Sequence, residues 1–227
     1  MHPTTDITPY SDEDVARVVD TLLHNRDLID AIGTYRLGLW YRLFSILLRN
    51  RILSELRKSF GGLNSIRGFQ EAIEPYLAQI LRVSTESFTV SGLEHLSHDQ
   101  TYVFLSNHRD IAMDPAFVNW ALYNNGFDTV RIAIGDNLVR KDYIGDLMRL
   151  NKSFIVRRNL SGPREMLKTY SALSGYIRDS IDTGHSVWIA HREGRAKDGI
   201  DTTDPAILKM LAIAGKVHHE SFAQALS

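Results

Sequence analysis

From about Phe88 onward, short apolar runs alternate with stretches of helical periodicity, and this alternation constrains the fold more than any other feature. TYVFLSN, VRIAIG, SFIVRR and SVWIAH have strand length and strand composition, and FTVSG ahead of them reads as a further short strand ending in a turn. Residues 115–123 and 143–149 and the segment PREMLKTYSALSGYIRDSID carry helical spacing between them. Asp204 followed by Pro205 opens a last helix, as cap and first-turn residue. Strands joined through helices run parallel, because a parallel pair needs a long crossover. Residues 84–227 are therefore expected to form an α/β domain, a largely parallel sheet flanked by helices, with the mostly apolar TYVFLSN strand buried.

Residues 1–83 read differently, as an N-terminal helical region. Residues 11–32 predict one amphipathic helix, with Ser11 as cap, acidic residues in the first turn and Gly33 after the end. A third helix is expected from Ser65 to Leu81. Between them, Leu, Trp, Phe and Ile are interleaved with Arg36, Arg42, Arg49, Arg51, Arg57 and Lys58, opposed only by Glu55. Two readings stand: helices packed on the main domain with solvated arginines, or an interfacial helix whose basic rim meets anionic lipid. The formal net charge of -1 gives no global pull toward nucleic acid, so no nucleic-acid partner is expected. The sequence has no cysteine, which excludes disulfides, zinc–cysteine sites and a thiol nucleophile, and agrees with a reducing compartment. Residues 1–14 are too polar for a signal peptide, and no apolar run approaches the ~20 residues needed to span a bilayer. The expected location is cytoplasmic, at most peripheral to the inner face of a membrane.

Three polar clusters stand at the ends of three of the predicted strands, where loops of an open α/β sheet gather ligands. The first, SNHRDIAMDP, holds Asn107, His108, Arg109, Asp110 and Asp114. Histidine is the usual proton acceptor near neutral pH, and a carboxylate on its other nitrogen fixes the tautomer; Asp110 and Asp114 are both candidates. Asp114-Pro115 also reads as a helix cap followed by a first-turn proline. The second, SFIVRR, ends in Arg157 and Arg158, suited to bidentate phosphate binding. The third, AHREGRAKDG, places Glu193, Gly194 and Arg195 within one turn, with the glycine permitting close backbone approach.

In this order the clusters resemble the glycerolipid acyltransferase family, which includes glycerol-3-phosphate and lysophosphatidate acyltransferases. Asn107-His108…Asp114 resembles its Asn-His-x4-Asp block, Phe154-Ile155-Val156-Arg157 its Phe-x-x-Arg block, and Glu193-Gly194-Arg195 its Glu-Gly-x-Arg or Gly-Gly-Arg-Ser block. The resemblance extends to VSGLEHL and GDNLV and covers roughly residues 70–200. It implies His108 as general base, Asp114 as its partner, and Arg157, Glu193 and Arg195 as ligands of the acceptor phosphate; Arg158, doubling Arg157, leans toward the glycerol-3-phosphate branch. There are departures. Five residues rather than four separate His108 from Asp114, and the third block lacks the residue between Gly194 and Arg195. The family usually continues into a Val-Pro strand, whereas here the sequence ends at Ser227 near a helix, as a truncated product or a subfamily without that block would.

The implied reaction carries an acyl group from an acyl thioester, of coenzyme A or acyl carrier protein, to a glycerol-3-phosphate or lysophospholipid hydroxyl. No cofactor and no metal are expected, because a thioester is already activated and needs only a base at the acceptor hydroxyl. The absence of a Gly-x-Ser-x-Gly elbow agrees. Two other classes stay open: a catalytically impaired lipid-binding or membrane-docking protein, and a metal-dependent phosphohydrolase using His108, Asp110, Asp114 and His191.

Overall fold

The computed structural model describes residues 8–158, 160–196, 199–217 and 219–226. Residues 1–7, Lys197 of the third cluster and Ser227, all used in the sequence reading, lie outside the described residues. The chain divides into two compact units: residues 8–86 with 138–153, and residues 87–137 with 154–227.

The first unit is helical: α1 (Asp12–His24), α2 (Arg26–Leu37), α3 (Leu39–Phe60), α4 (Ile66–Ser84) and, from later in the chain, α6 (Asp142–Leu150). The single helix expected over residues 11–32 is two. Asn25 leaves helical geometry (φ -79°, ψ 108°) and its side chain accepts from the Leu28 N–H, starting α2 afresh. Gly33 then lies inside α2 rather than beyond a helix end. A Cβ there would meet the Tyr41 ring at 2.2 Å, so glycine lets α2 and α3 approach. Val15, Val18, Val19 and Leu22 of α1 recur at helical spacing and form the core with Ile52, Phe69 and Leu150. That shared core explains why α6 belongs to this unit despite its distance in sequence.

The arginines of α2 and α3 are less available than a charge count suggests. Arg49 makes a bidentate pair with Asp30 at 2.9 and 2.8 Å, while Arg36 and Arg51 both reach Glu55.

The second unit carries β1 (Val103–Ser106), α5 (Met113–Asn124), β2 (Arg131–Gly135), β3 (Ser153–Val156, its first residue at the division), α7 (Pro163–Asp182), β4 (Val187–Ala190), α8 (Pro205–Leu211) and α9 (Ile213–Val217). The strands form one four-stranded parallel sheet in the order β1-β4-β2-β3. β4 lies between β1 and β2, with Ser106 opposite Ala190 and Ile132 opposite Trp188. Val187 and Ile189 point to one face and meet Phe154, Ile177 of α7 and Met210 of α8. Trp188, between them, points to the other.

Two expectations change here. TYVFLSN is an edge strand with Val103 38% exposed; the most buried strand is β4, with Val187, Trp188 and Ile189 all buried. FTVSG forms no strand and pairs with no strand among the described residues. Phe88 instead stacks on Phe117 of α5 at 5.3 Å, and Gly92 turns the chain at φ +86°.

Candidate active site

Parallel pairing of β1 with β4, in the register Ser106–Ala190, brings the first and third clusters out of the sheet side by side. The loops are then tied together: the His191 N–H donates to the Ser106 carbonyl at 2.8 Å and the Ala196 N–H to the His108 carbonyl at 2.7 Å.

His108 and Asp114 form the centre of the first loop. His108 Nδ1 lies 3.0 Å from Asp114 Oδ2, with both side chains largely buried, at 12% and 18% exposure. A carboxylate only accepts, so Nδ1 carries the proton and Nε2 is left to accept one. The same Oδ2 accepts from the backbone N–H groups of Arg109 (2.7 Å) and Asp110 (3.0 Å), which hold the carboxylate in place.

Asp114 is not the cap of α5. Asp110 serves the helix start instead, its Oδ1 accepting from Ala112 N–H at 2.9 Å and Met113 N–H at 2.8 Å. Those two bonds hold its carboxyl below the ordinary carboxylate range, with Arg195 and His108 adding smaller electrostatic contributions. The two candidate carboxylates thus have separate tasks, one on the imidazole and one on the backbone.

Three residues outside the predicted set complete the arrangement. Trp188 is buried (2% exposed) and stands edge-on to His108 at 6.0 Å, its Nε1–H donating to Ser106 Oγ at 3.0 Å. Ser106 Oγ in turn donates to the Asn107 carbonyl at 2.9 Å. Asp201 accepts from Arg109 Nη2 at 2.5 Å and Asn107 Nδ2 at 3.2 Å, and Arg109 also reaches the Gly199 carbonyl. The Arg109 guanidinium, then Asn107, holds the Asp201 carboxyl below its usual range. Trp188 sits in a run that reads only as an apolar strand. Asp201 lies beyond the third cluster and carries no sequence signal of its own.

The second cluster reaches the third through Arg158, not through its neighbour. Arg158 Nη1 is 4.0 Å from Glu193 Oε1, and its Nε lies so close over Gly135 that a Cβ there would sit 2.4 Å away. Phe154 is buried in the sheet core, and Arg157 is exposed at the end of β3. Gly194 adopts φ +76°, the left-handed turn that brings Arg195 back toward the first loop, within electrostatic range of Asp110. His191 is buried, with Nδ1 3.4 Å from Thr203 Oγ1 and, among the described residues, no hydrogen-bond partner at Nε2. Among the described residues no three His, Asp or Glu side chains are grouped to hold a metal ion.

A family model described as Acyltransferase matches residues 87–209. Similar curated proteins include dihydroxyacetone phosphate acyltransferase of Oryctolagus cuniculus, 24% identical over 144 residues, and that of Bos taurus, 25% identical over 146. Each alignment covers 63% of this chain and 21% of the relative, so the matched part spans about a fifth of those proteins.

Proposed function

The chain belongs to the Acyltransferase family, and from that premise we propose that it esterifies a phosphate-bearing glycerol-type acceptor with a fatty acyl group. The donor is an acyl thioester, acyl-CoA or acyl carrier protein. The acceptor is a three-carbon phosphate such as glycerol-3-phosphate or, as the relatives' name suggests, dihydroxyacetone phosphate, or else a lysophospholipid. The observation that carries this reading is the partly buried His108–Asp114 pair.

In the proposed step the acceptor hydroxyl gives its proton to His108 Nε2 as its oxygen attacks the thioester carbonyl. The tetrahedral intermediate collapses with cleavage of the C–S bond, and the departing thiolate takes the proton back from the imidazolium. Asp114 stabilises that imidazolium while its two backbone hydrogen bonds keep it oriented. Arg158 approaches Glu193 only to 4.0 Å, beyond hydrogen-bond length, which suits guanidinium donors directed at a phosphate. With Arg157 and Arg195 it would set the acceptor hydroxyl beside the base.

An anionic bilayer is the proposed partner surface, met by the first half of α3. Leu39, Trp40, Leu43, Ile46 and Leu47 are 68–79% exposed there, with Arg42 among them, an apolar face of the kind that marks membrane contact. Among the described residues no helix is long and apolar enough to cross a membrane.

The test is mass spectrometry of products from purified protein given palmitoyl-CoA or palmitoyl carrier protein with a mixture of the three acceptors. An ester of one acceptor, absent with His108→Ala, is the expected result. A folded protein that transfers to none of them overturns the proposal and favours the impaired, lipid-binding alternative.

A further inference from the structure

The helical unit contains a hollow of about 750 Å³ that the catalytic reading leaves unused. It is lined by α1, α2, α3, α4 and α6. Its floor includes Val19, Leu22 and Phe69, exposed by 4%, 5% and 2%, while its rim carries Tyr35 and Val83, exposed by 81% and 78%. Protein interiors pack nearly as tightly as organic crystals, with few voids larger than a water molecule. A hollow this size, reaching core side chains, is not slack in the packing. It falls in the range of small-molecule sites, about 300–1,000 Å³, which are mostly apolar with a few polar groups.

We propose that this hollow holds one long acyl chain. Aliphatic and aromatic side chains make up the lining, apart from Arg36 and Gln79, and among the described residues no acid, lysine or histidine contributes. An occupant must therefore be apolar along its body and polar at one end. Arg36 is paired with Glu55 at 2.9 Å, so the polar end meets a compensated charge, which suits a carboxyl, ester or thioester better than a bare phosphate. A helix is about 10–12 Å across with its side chains and rests on a groove through spaced anchors, so it would not fill a hollow to a buried floor. A bilayer surface calls for a projecting apolar face, which the first half of α3 offers and a concavity does not.

The choice of an acyl chain rests on the acyl-transfer reading, but its test does not need turnover. Purified full-length protein is titrated with cis-parinaric acid, a fluorescent fatty acid, and the probe is displaced with palmitate. Wild type and His108→Ala should bind the probe alike and saturably. Ile32→Trp and Ile73→Trp, which fill the hollow from α2 and α4, should weaken binding at least tenfold with the fold intact by circular dichroism. Should either fail to fold, Ile73→Phe replaces it and is expected to lower affinity in the same direction. No saturable binding by wild type, or undiminished binding in the folded filled variants, overturns the proposal; the second outcome would put the probe on the exposed α3 face. Where transfer is active, the chain's origin follows from the same variants. A lowered maximum acyl length for donor or lysophospholipid identifies the substrate's own chain, and unchanged transfer with lost binding identifies a separate fatty acid.

Discussion

Asp110 and Asp114 sit four residues apart at one loop, and replacing each separately tests what the structure assigns to them. Asp114 Oδ2 accepts three hydrogen bonds, from His108 Nδ1, Arg109 N and Asp110 N. In Asp114→Asn the amide oxygen can keep all three, so the loop holds while the negative charge behind the imidazole is lost. The expected drop in kcat is about 10²–10⁴-fold, the span for general-base catalysis with a disturbed orienting carboxylate, and the unfolding temperature should barely move. Asp110→Ala removes two backbone caps from α5 and should cost ~1 kcal/mol, or about 2–4 °C in a chain of this size. Its kcat should stay within several-fold of wild type. Release of free thiol from acyl-CoA, read with a chromogenic thiol reagent, gives the rates, and a chain without cysteine adds no background. Near-normal turnover in Asp114→Asn, or a hundredfold loss confined to Asp110→Ala, would refute this division of labour.

Gly135→Ala should push the Arg158 guanidinium off its seat, raising the acceptor KM more than the donor KM while leaving stability nearly unchanged; equal effects on both would assign Arg158 a structural role. Arg158→Lys should recover only part of what Arg158→Ala loses, because a point charge cannot reproduce a planar fork, and full recovery would exclude bidentate phosphate binding. Asp201→Ala should remove the carboxylate shared by Arg109 and Asn107 and slow transfer measurably at pH 7. The Asp201 carboxyl titrates below its ordinary 3.8, so the wild-type clamp is complete above about that pH and is lost only as acid drives the carboxyl through its lowered value; a wild-type rate loss with an Asp201-dependent midpoint between pH 5 and 8 would contradict this. Replacing Leu39, Leu43 and Leu47 with Ser should abolish co-sedimentation with anionic vesicles without lowering transfer to a soluble acceptor, and wild-type Trp40 emission should shift on vesicle binding; an unmoved Trp40 signal without co-sedimentation sinks the membrane proposal.

The α/β alternation after Phe88 was readable because each strand is a short apolar run closed by polar residues, and β1 to β4 stand where those runs are. Strand order was not, because order depends on which runs lose most by facing water. SVWIAH became one of the two inner strands, whereas the equally apolar TYVFLSN took the edge. Periodicity likewise ran through Asn25, where a single side-chain hydrogen bond to Leu28 starts a new helix. The grouping of α6 with α1 comes from Leu147 and Leu150 packing across more than a hundred residues of sequence, which no local pattern announces. In the site, His108, Asp114, Arg158 and Glu193 were nameable from their clusters. Asp201 was not, because a lone aspartate in a polar loop looks the same whether or not it holds an arginine.

The loop between His108 and Asp114 gives its two carboxylates separate tasks. The residue before α5 is Ala112, so Asp114 stands inside the helix and does not cap it. Instead Asp110 folds its own carboxylate onto the amides of Ala112 and Met113, tightening the intervening chain into a turn and starting α5 at Met113. Asp114 then falls in the first helical turn, released from capping, and its Oδ2 faces back to His108 Nδ1 and the amides of Arg109 and Asp110. The acid nearest His108 in sequence therefore serves the backbone, and the one a helical turn further on serves the imidazole.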